Sequence, residues 1–240
     1  MTKLFTPLTF RETTLRNRIA VSPMCQYSAT DGYANDWHLV HLGARAIGGA
    51  GLVIQEATAV SAEGRITPDD LGLYDEGHVP KLREITHFIR SQGAVPGIQL
   101  AHAGRKASHH SPWKSGHQIK RSEGGWETLA PSAIPFLEHQ EPPREMTRAD
   151  IGKLVVDFRE AARRAMEAGY EVMEIHAAHG YLLHEFLSPL CNQRTDDYGG
   201  SFENRIRLLK EVVMPVNPVR SSSQPLFVRL SCTDWAEGGW

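Results

Sequence analysis

Apolar residues along the chain fall into two patterns, short continuous runs and longer stretches with helical spacing. Five short runs predict buried strands at residues 19–22, 52–57, 95–100, the opening of 171–181, and 226–230. Between them, apolar residues three and four positions apart predict helices that begin at residue 36, near 79, after 147 and near 201. The alternation of strands and helices predicts an α/β fold with parallel strands and right-handed crossovers.

One connection breaks this alternation. Residues from about 103 to 145 are rich in His, Ser, Gly, Pro and Trp, and the segment is too long for a simple turn. They predict a lid-like excursion over the strand ends, with partial disorder as the alternative. Residues 4–18 predict a short lead-in hairpin, and residues 1–240 as a whole are expected to form a single domain.

The fourth predicted strand ends in a cluster of His176, His179 and Tyr181. In parallel α/β sheets and barrels, functional groups gather at the carboxyl ends of the strands. Two imidazoles can donate hydrogen bonds to one oxygen, and a neighbouring phenol can transfer a proton. Two other interpretations exist: one histidine caps a loop while Tyr181 packs, or the histidines bind zinc, although zinc sites usually have a third ligand. The cluster predicts a substrate site without metal.

Distinctive residues also follow or end the other predicted strands. They are Ser22, Pro23, Met24, Cys25, Tyr27, Ala57, Gln99 and Arg229. An apolar platform, a side-chain amide and a guanidinium suit a flat ring that has hydrogen-bonding groups and an anionic edge. Three of them also have a structural interpretation: Gln99 as the partner of a neighbouring polar group, Arg229 in a buried ion pair, and Cys25 as a packing residue.

Composition narrows the functional classes. The 240 residues include 26 basic and 28 acidic side chains, so nothing predicts a general attraction to nucleic acid or to an anionic membrane. The sequence shows no signal-peptide core and no apolar run that could span a bilayer. Three widely spaced cysteines, Cys25, Cys191 and Cys232, do not predict a disulfide framework. Together these features predict a cytoplasmic protein.

Seven blocks of sequence resemble one known family. They are residues 15–19 (LRNRI), 22–25 (SPMC) with Tyr27, 63–67 (EGRIT), 97–106 (GIQLAHAGRK), 130–133 (APSA), 176–181 (HAAHGY) and 194–201 (RTDDYGGS). In this order, along almost the whole chain, they resemble the Old Yellow Enzyme family of FMN-dependent ene-reductases. Cys25, where other branches carry Thr, and His179, where others carry Asn, indicate the branch of xenobiotic reductases and bacterial NADPH dehydrogenases.

The resemblance implies an eight-stranded (β/α)8 barrel of the TIM-barrel type, with FMN lying over the strand ends. It implies that the isoalloxazine ring is held by Ser22, Pro23, Met24, Cys25, Ala57, Gln99 and Arg229. Arg229 is then expected to face the pyrimidine edge of the ring, and Cys25 to tune the redox potential without acting as a nucleophile. NADPH or NADH is the expected hydride donor to the flavin.

The same resemblance implies a role for the polar cluster. His176 and His179 are expected to bind the carbonyl oxygen of an activated alkene, and Tyr27 to close over it. Hydride transfer from the flavin to the β-carbon, with protonation of the α-carbon by Tyr181, reduces the C=C bond. The expected partner is therefore a small enone or related activated alkene in a ping-pong cycle, and a homo-oligomeric state is left open.

The chain departs from the family in its number of strands. Five strands are predicted, so the chain is expected to hold about the first five β/α units and to lack those that bind the FMN phosphate. Three hypotheses follow, and the third is metal-dependent hydrolysis. The first is an FMN-dependent NAD(P)H oxidoreductase acting on activated C=C bonds. The second is a catalytically silent fragment or interaction protein derived from such an enzyme.

Overall fold

A β-hairpin opens the computed structural model, which describes residues 2–240. Its strands β1 (Leu8–Phe10) and β2 (Thr13–Leu15) pair antiparallel. Leu15 is buried against the first residues of the central strands, and the ring of Phe10 meets the ring of Phe227 edge-on at 5.3 Å. The predicted lead-in hairpin is confirmed, and it covers the amino ends of the sheet.

The remaining strands form a central parallel sheet and one small separate pair. In chain order they are β3 (Ala20–Val21), β4 (Leu52–Ala59), β5 (Val95–Ala101), β6 (Leu129–Ala130), β7 (Arg144–Glu145), β8 (Val172–Ala177) and β9 (Leu226–Leu230). The central sheet has the order β3–β4–β5–β8–β9, with every pair parallel. All five predicted strands are therefore present. β3 is shorter than predicted because its ladder ends before Pro23, which has no amide N–H to donate.

Six helices connect these strands within the described residues. They are α1 (Asp36–Ile47), α2 (Val79–Ser91), α3 (Arg148–Glu167), α4 (Leu182–Leu187), α5 (Phe202–Arg205) and α6 (Arg207–Val216). Side chains fix two of the starts: Asn35 Oδ1 accepts from Trp37 N at 3.0 Å, and Thr147 and Asp150 form the predicted capping box of α3. In residues 2–240 no helix is both long and apolar enough to cross a bilayer.

The segment after β8 differs from the prediction in two places. α4 was not predicted, and all six of its residues are buried. The single helix predicted from near residue 201 is interrupted at Ile206, which separates α5 from α6. Pro215 lies in the last turn of α6, next to the final helical residue. The helix therefore includes the proline, at the cost of one intrahelical hydrogen bond, and ends one residue after it.

The strands carry different residues on their two faces. Successive side chains of a strand point to opposite sides of the sheet. On β8, Met173 and Ile175 pack into the main apolar core, which also contains Leu154 and Phe158 of α3. Glu174 therefore points to the inner side, away from the helices. The inner side is thus available for a polar site.

Residues 103–145 run from the end of β5 to the start of α3. They contain one-turn 3-10 helices at Gly104–Lys106 and Arg121–Glu123, and the parallel pair of β6 with β7. Backbone hydrogen bonds tie the segment to itself, for example from Ile119 N to Ser108 O at 2.6 Å. A lid function for this segment, and a single domain over residues 1–240, stay predictions.

Candidate active site

The polar residues predicted at the strand ends come together on the inner side of the sheet. Gln99 on β5 is the register partner of Glu174 on β8, and His176 is the partner of Arg229 on β9. A register shift just before Ala57 in β4 places this residue beside Gln99. Four neighbouring strands therefore contribute to one continuous surface.

His176, His179 and Tyr181 form an aromatic cluster at the end of β8. The ring of His176 lies 5.0 Å from each of the other two rings, centroid to centroid, and meets both edge-to-face. His179 has a left-handed φ of 60°, and its carbonyl oxygen accepts a hydrogen bond from Lys106 Nζ at 2.8 Å. Tyr181 is the N-cap residue of α4. The sharp turn between strand and helix brings the three side chains together, as the sequence predicts.

Both histidines of the cluster are uncharged at neutral pH. Ala178 N donates to His176 Nδ1 at 3.3 Å, which assigns the ring proton of His176 to Nε2. Burial, together with His179 and Arg229, lowers the pKa of His176 to about 3. Burial and the cations of Arg229 and Lys106 also lower the pKa of His179. The pair therefore offers imidazole groups that can donate hydrogen bonds without adding charge.

The phenol of Tyr181 within the cluster, and the phenol of Tyr27 and the thiol of Cys25 beside it, all stay protonated. Burial raises the pKa of Tyr181, and Cys25 and Asp70 raise it further. Burial likewise raises the pKa of Tyr27, with Cys25 and Tyr181 as neighbours. Burial, followed by the carboxylates of Asp70 and Glu56, raises the pKa of Cys25 to about 12. A thiol with such a pKa is a poor nucleophile at neutral pH.

A buried carboxyl group fixes the loop that follows β3. Glu56 Oε2 accepts from Gln26 N at 2.5 Å, and burial raises the pKa of Glu56 to about 8. Ser22 and Met24 are exposed and Pro23 is half-buried. The apolar side chains of Pro23 and Met24 are therefore accessible on this loop and do not pack into the core.

One carboxylate, which the sequence patterns did not single out, joins the two predicted ring-edge residues. Glu174 Oε1 accepts a hydrogen bond from Gln99 Nε2 at 2.6 Å and one from Arg229 Nε at 3.2 Å. The structural interpretations of Gln99 and Arg229, as a polar partner and as part of an ion pair, are therefore both present. Within residues 2–240, Gln99 Oε1 and the two Nη atoms of Arg229 make no hydrogen bond. Each side chain thus keeps groups that can bind a ligand.

A cavity of about 200 Å³ adjoins the aromatic cluster. Its lining includes Tyr27 and Tyr181, together with Lys106 and Phe136 from the long connection. Trp113 of the same connection meets the ring of Tyr27 edge-on at 5.6 Å. The cavity is therefore bounded by aromatic rings and a few polar groups, as small-molecule sites usually are.

Three residues of this region were missed by sequence reasoning. Glu174 is a charged residue within an otherwise apolar strand, which is the signal that could have marked it as an interior polar contact. Lys106 and Trp113 lie in the long connection, where no periodic pattern indicates which side chains reach the site. Across residues 2–240, no group of three or more His, Cys, Asp or Glu side chains is arranged to hold a metal ion.

Comparison with known proteins gives a consistent result. A family model described as the NADH:flavin oxidoreductase / NADH oxidase family matches residues 3–239. An NADH:flavin oxidoreductase of Gibberella zeae is 53% identical over 240 residues, and the alignment covers 98% of this chain and 58% of that protein. The NADPH dehydrogenases of Geobacillus thermodenitrificans and Bacillus subtilis are 51% and 48% identical, with 99% of this chain and 66% of each relative covered. The chain thus spans 58% to 66% of the length of these curated relatives.

Solved structures show the same relationship in the fold. Morphinone reductase superposes with a TM-score of 0.81 at 30% identity, covering 95% of this chain and 61% of that one. The Old Yellow Enzyme from Pichia sp. AKU4542 superposes with a TM-score of 0.86 at 31% identity, covering 99% and 62%. The five-stranded sheet and its helices therefore match part of a (β/α)8 barrel, which is the predicted fold class. All five of these proteins are named as enzymes, so they lend no support to the hypothesis of a catalytically silent chain.

Proposed function

Because the chain belongs to the NADH:flavin oxidoreductase / NADH oxidase family, we propose that it is an FMN-dependent ene-reductase. It would use NADPH or NADH to reduce the activated C=C bond of α,β-unsaturated carbonyl compounds. The observation that carries this proposal is the pair of uncharged imidazoles beside a protonated phenol at the end of β8. Such a set can polarise a carbonyl group and deliver a proton next to it.

The residues at the strand ends suit the ring of FMN. We propose that the ring is held by Ser22, Pro23, Met24, Cys25, Ala57, Gln99 and Arg229. Gln99 Oε1 can accept from a ring N–H, and the free Nη atoms of Arg229 can donate to a ring edge that gains negative charge. Pro23, Met24 and Ala57 supply apolar surface for the faces of a flat ring. Bound FMN would supply the hydride transfer, which no side chain of the protein can perform.

His176 and His179 would hold the carbonyl oxygen of the substrate. The Nε2–H of His176 is free to donate, because its Nδ1 already accepts from Ala178 N. An uncharged donor in a buried site stabilises negative charge that develops on the oxygen, since little water competes for it. The low pKa of His176 suits this role, because it keeps the imidazole uncharged at neutral pH.

Tyr181 would donate the proton, and Tyr27 would close over the substrate. Within residues 2–240 the Tyr181 hydroxyl makes no hydrogen bond, and the side chain lines the cavity. Its raised pKa keeps it protonated at neutral pH and so ready to act as an acid. The edge-on contact of Trp113 with Tyr27 links residues 103–145 to this closure, which supports the predicted lid.

We also propose a ping-pong cycle. One cavity beside the aromatic cluster, lined by Tyr27 and Tyr181, is the space proposed for both substrates. The two substrates would therefore use the same space in turn, first the reductant and then the alkene. A cytoplasmic location stays a prediction from the sequence, and the oligomeric state stays open.

Two measurements on the purified chain test the proposal. Titration with FMN, followed by flavin fluorescence, measures cofactor binding, and anaerobic oxidation of NADPH with 2-cyclohexenone measures the reaction. The variant His176→Ala should slow enone reduction roughly tenfold or more while leaving FMN affinity almost unchanged. His87→Ala, on the exposed side of α2, is the matched control. Absence of FMN binding, or identical rates for the two variants, would contradict the proposal.

A further inference from the structure

We infer that Glu174 is a positioning residue of the flavin site. It would fix which groups Gln99 and Arg229 present to the ring, and it would offset part of the positive charge that the ring edge meets. This inference rests on the proposed function and concerns a residue that never touches the substrate.

The position of Glu174 makes this role available to it. The residue lies on β8 between β5 and β9, and it is 7% exposed. Its side chain faces the inner side of the sheet, because the flanking Met173 and Ile175 pack into the helical core. Glu174 can therefore reach both neighbouring strands at the level of the ring-edge residues.

Its contact with Gln99 sets the direction of an amide. A carboxylate that is paired with a guanidinium only accepts hydrogen bonds, so Gln99 must turn its NH2 group toward Glu174 Oε1, at 2.6 Å. The Gln99 carbonyl oxygen is then aimed away from Glu174 and can accept from a ring N–H. Without the carboxylate, both orientations of the amide would be open, and only one of them matches an N–H donor.

Its contact with Arg229 uses only one of the three guanidinium nitrogens. Arg229 Nε donates to Glu174 Oε1 at 3.2 Å, which leaves the two Nη atoms for the ring edge. The same contact places a negative charge next to Arg229. The positive charge of Arg229 beside the ring edge would favour the reduced flavin, because reduced flavin carries more negative charge than the oxidised form. Glu174 would therefore fix the orientation of Gln99 and Arg229 and, at the same time, reduce the preference of the site for reduced flavin.

The test is the variant Glu174→Gln in the FMN-loaded chain. Loss of the carboxylate charge should raise the affinity for reduced FMN relative to oxidised FMN about tenfold, which is about 30 mV in the two-electron midpoint potential. Affinity for oxidised FMN should fall several-fold because Gln99 loses its fixed direction. Glu171→Gln is the control, since Glu171 precedes the same strand and pairs on the surface with Arg90 at 2.9 Å. It removes the same charge outside the site.

A second variant pair separates positioning from mere stabilisation of the sheet. In an Arg229→Met background, Glu174→Gln should shift the potential much less, because a buried Glu174 without its cationic partner takes up a proton and carries no charge to remove. If Glu174→Gln only lowers the melting temperature and leaves the potential where Glu171→Gln leaves it, the ion pair is structural and the inference is wrong.

A measurement without FMN keeps the inference separate from the proposed function. Burial, Arg229 and Lys106 lower the pKa of His179, whereas Glu174 raises it. In Glu174→Gln the pKa of His179, followed by NMR in the apo protein, should therefore fall, and in Glu171→Gln it should not. If the wild type binds no FMN, the proposed function fails, and this titration alone then decides whether Glu174 offsets the charge of Arg229.

Discussion

Replacing Tyr181 by phenylalanine removes one hydroxyl and leaves the ring in place. In residues 2–240 that hydroxyl makes no hydrogen bond, while the ring keeps its contact with His176 at 5.0 Å and with Lys106 Nζ at 5.6 Å. The free energy of unfolding should therefore change by no more than about 0.5 kcal/mol. The substitution should instead lower the rate of the step that needs a proton.

The expected size of that effect follows from the neighbouring groups. A positioned general acid contributes about 10² to 10⁴ in rate, or about 2.7 to 5.5 kcal/mol in the barrier. Tyr27 lines the same cavity and is also protonated, so it can supply part of the missing function. We therefore expect Tyr181→Phe to slow alkene reduction about a hundredfold, at the lower end of this range. Strongly activated alkenes, which can take a proton from solvent, should be affected less.

Anaerobic stopped-flow measurements of the two half-reactions provide the assay. Flavin reduction by NADPH should stay nearly at the wild-type rate, because that step requires no proton from Tyr181. The raised pKa of Tyr181 keeps the phenol protonated to higher pH than an ordinary tyrosine, so the wild-type alkene step should not decline on its account between about pH 6 and 9. Tyr27→Phe is the control and should slow the alkene step less. If both half-reactions are unchanged in Tyr181→Phe, the assignment of the proton donor is wrong.

Three further substitutions test other parts of the site. Cys25→Ala should shift the flavin midpoint potential, measured by redox titration, without abolishing turnover, because a thiol with a pKa of about 12 is not a nucleophile. Gly104→Ala should lower the free energy of unfolding in urea by roughly 2 to 3 kcal/mol, because its φ is +63° and the added Cβ would clash with Glu185 Oε1. Lys106→Met should raise the KM for the enone roughly tenfold with FMN affinity unchanged, because it removes the hydrogen bond to His179 O and keeps most of the side-chain stem.

Each of these three has an outcome that contradicts it. Complete loss of turnover in Cys25→Ala, with flavin still bound, would indicate covalent catalysis. Wild-type stability of Gly104→Ala would show that Glu185 can move away. An unchanged KM in Lys106→Met would show that His179 keeps its conformation without the lysine.

The helices that could be predicted from the sequence are those with a polar face, and α1 and α3 also have a local cap. The start of α1 at Asp36 and the capping box at Thr147 and Asp150 depend only on residues within a few positions of one another. α4 gave no such signal. All six of its residues are buried, so apolar and polar positions do not alternate with a helical period.

The candidate site likewise contains residues that could be predicted from local sequence and one that could not. His176, His179 and Tyr181 lie within six residues, so their proximity follows from one strand end and one turn. The contact of Glu174 with Gln99 joins residues 75 positions apart and depends on the register of two strands. Register is set by the packing of whole strands, which one strand's sequence does not specify. Sequence reasoning therefore found the residues that are close together in the chain and missed Glu174, whose contacts depend on strand register.

The inner side of the sheet has an apolar and a polar layer, and this division allows one site to be both buried and reactive. Near the amino ends of the strands, residues such as Val172 pack around Leu15 of the hairpin. Nearer the carboxyl ends, Glu174 pairs with Gln99 and Arg229, and a buried charge is tolerated when it is paired and hydrogen-bonded. The pairing uses one nitrogen of Gln99 and one of Arg229, so the other polar atoms of both side chains stay free for a ligand. The structural interpretation of Gln99 and Arg229 is therefore compatible with the functional one, because the contacts with Glu174 leave atoms of both side chains free to bind a ligand.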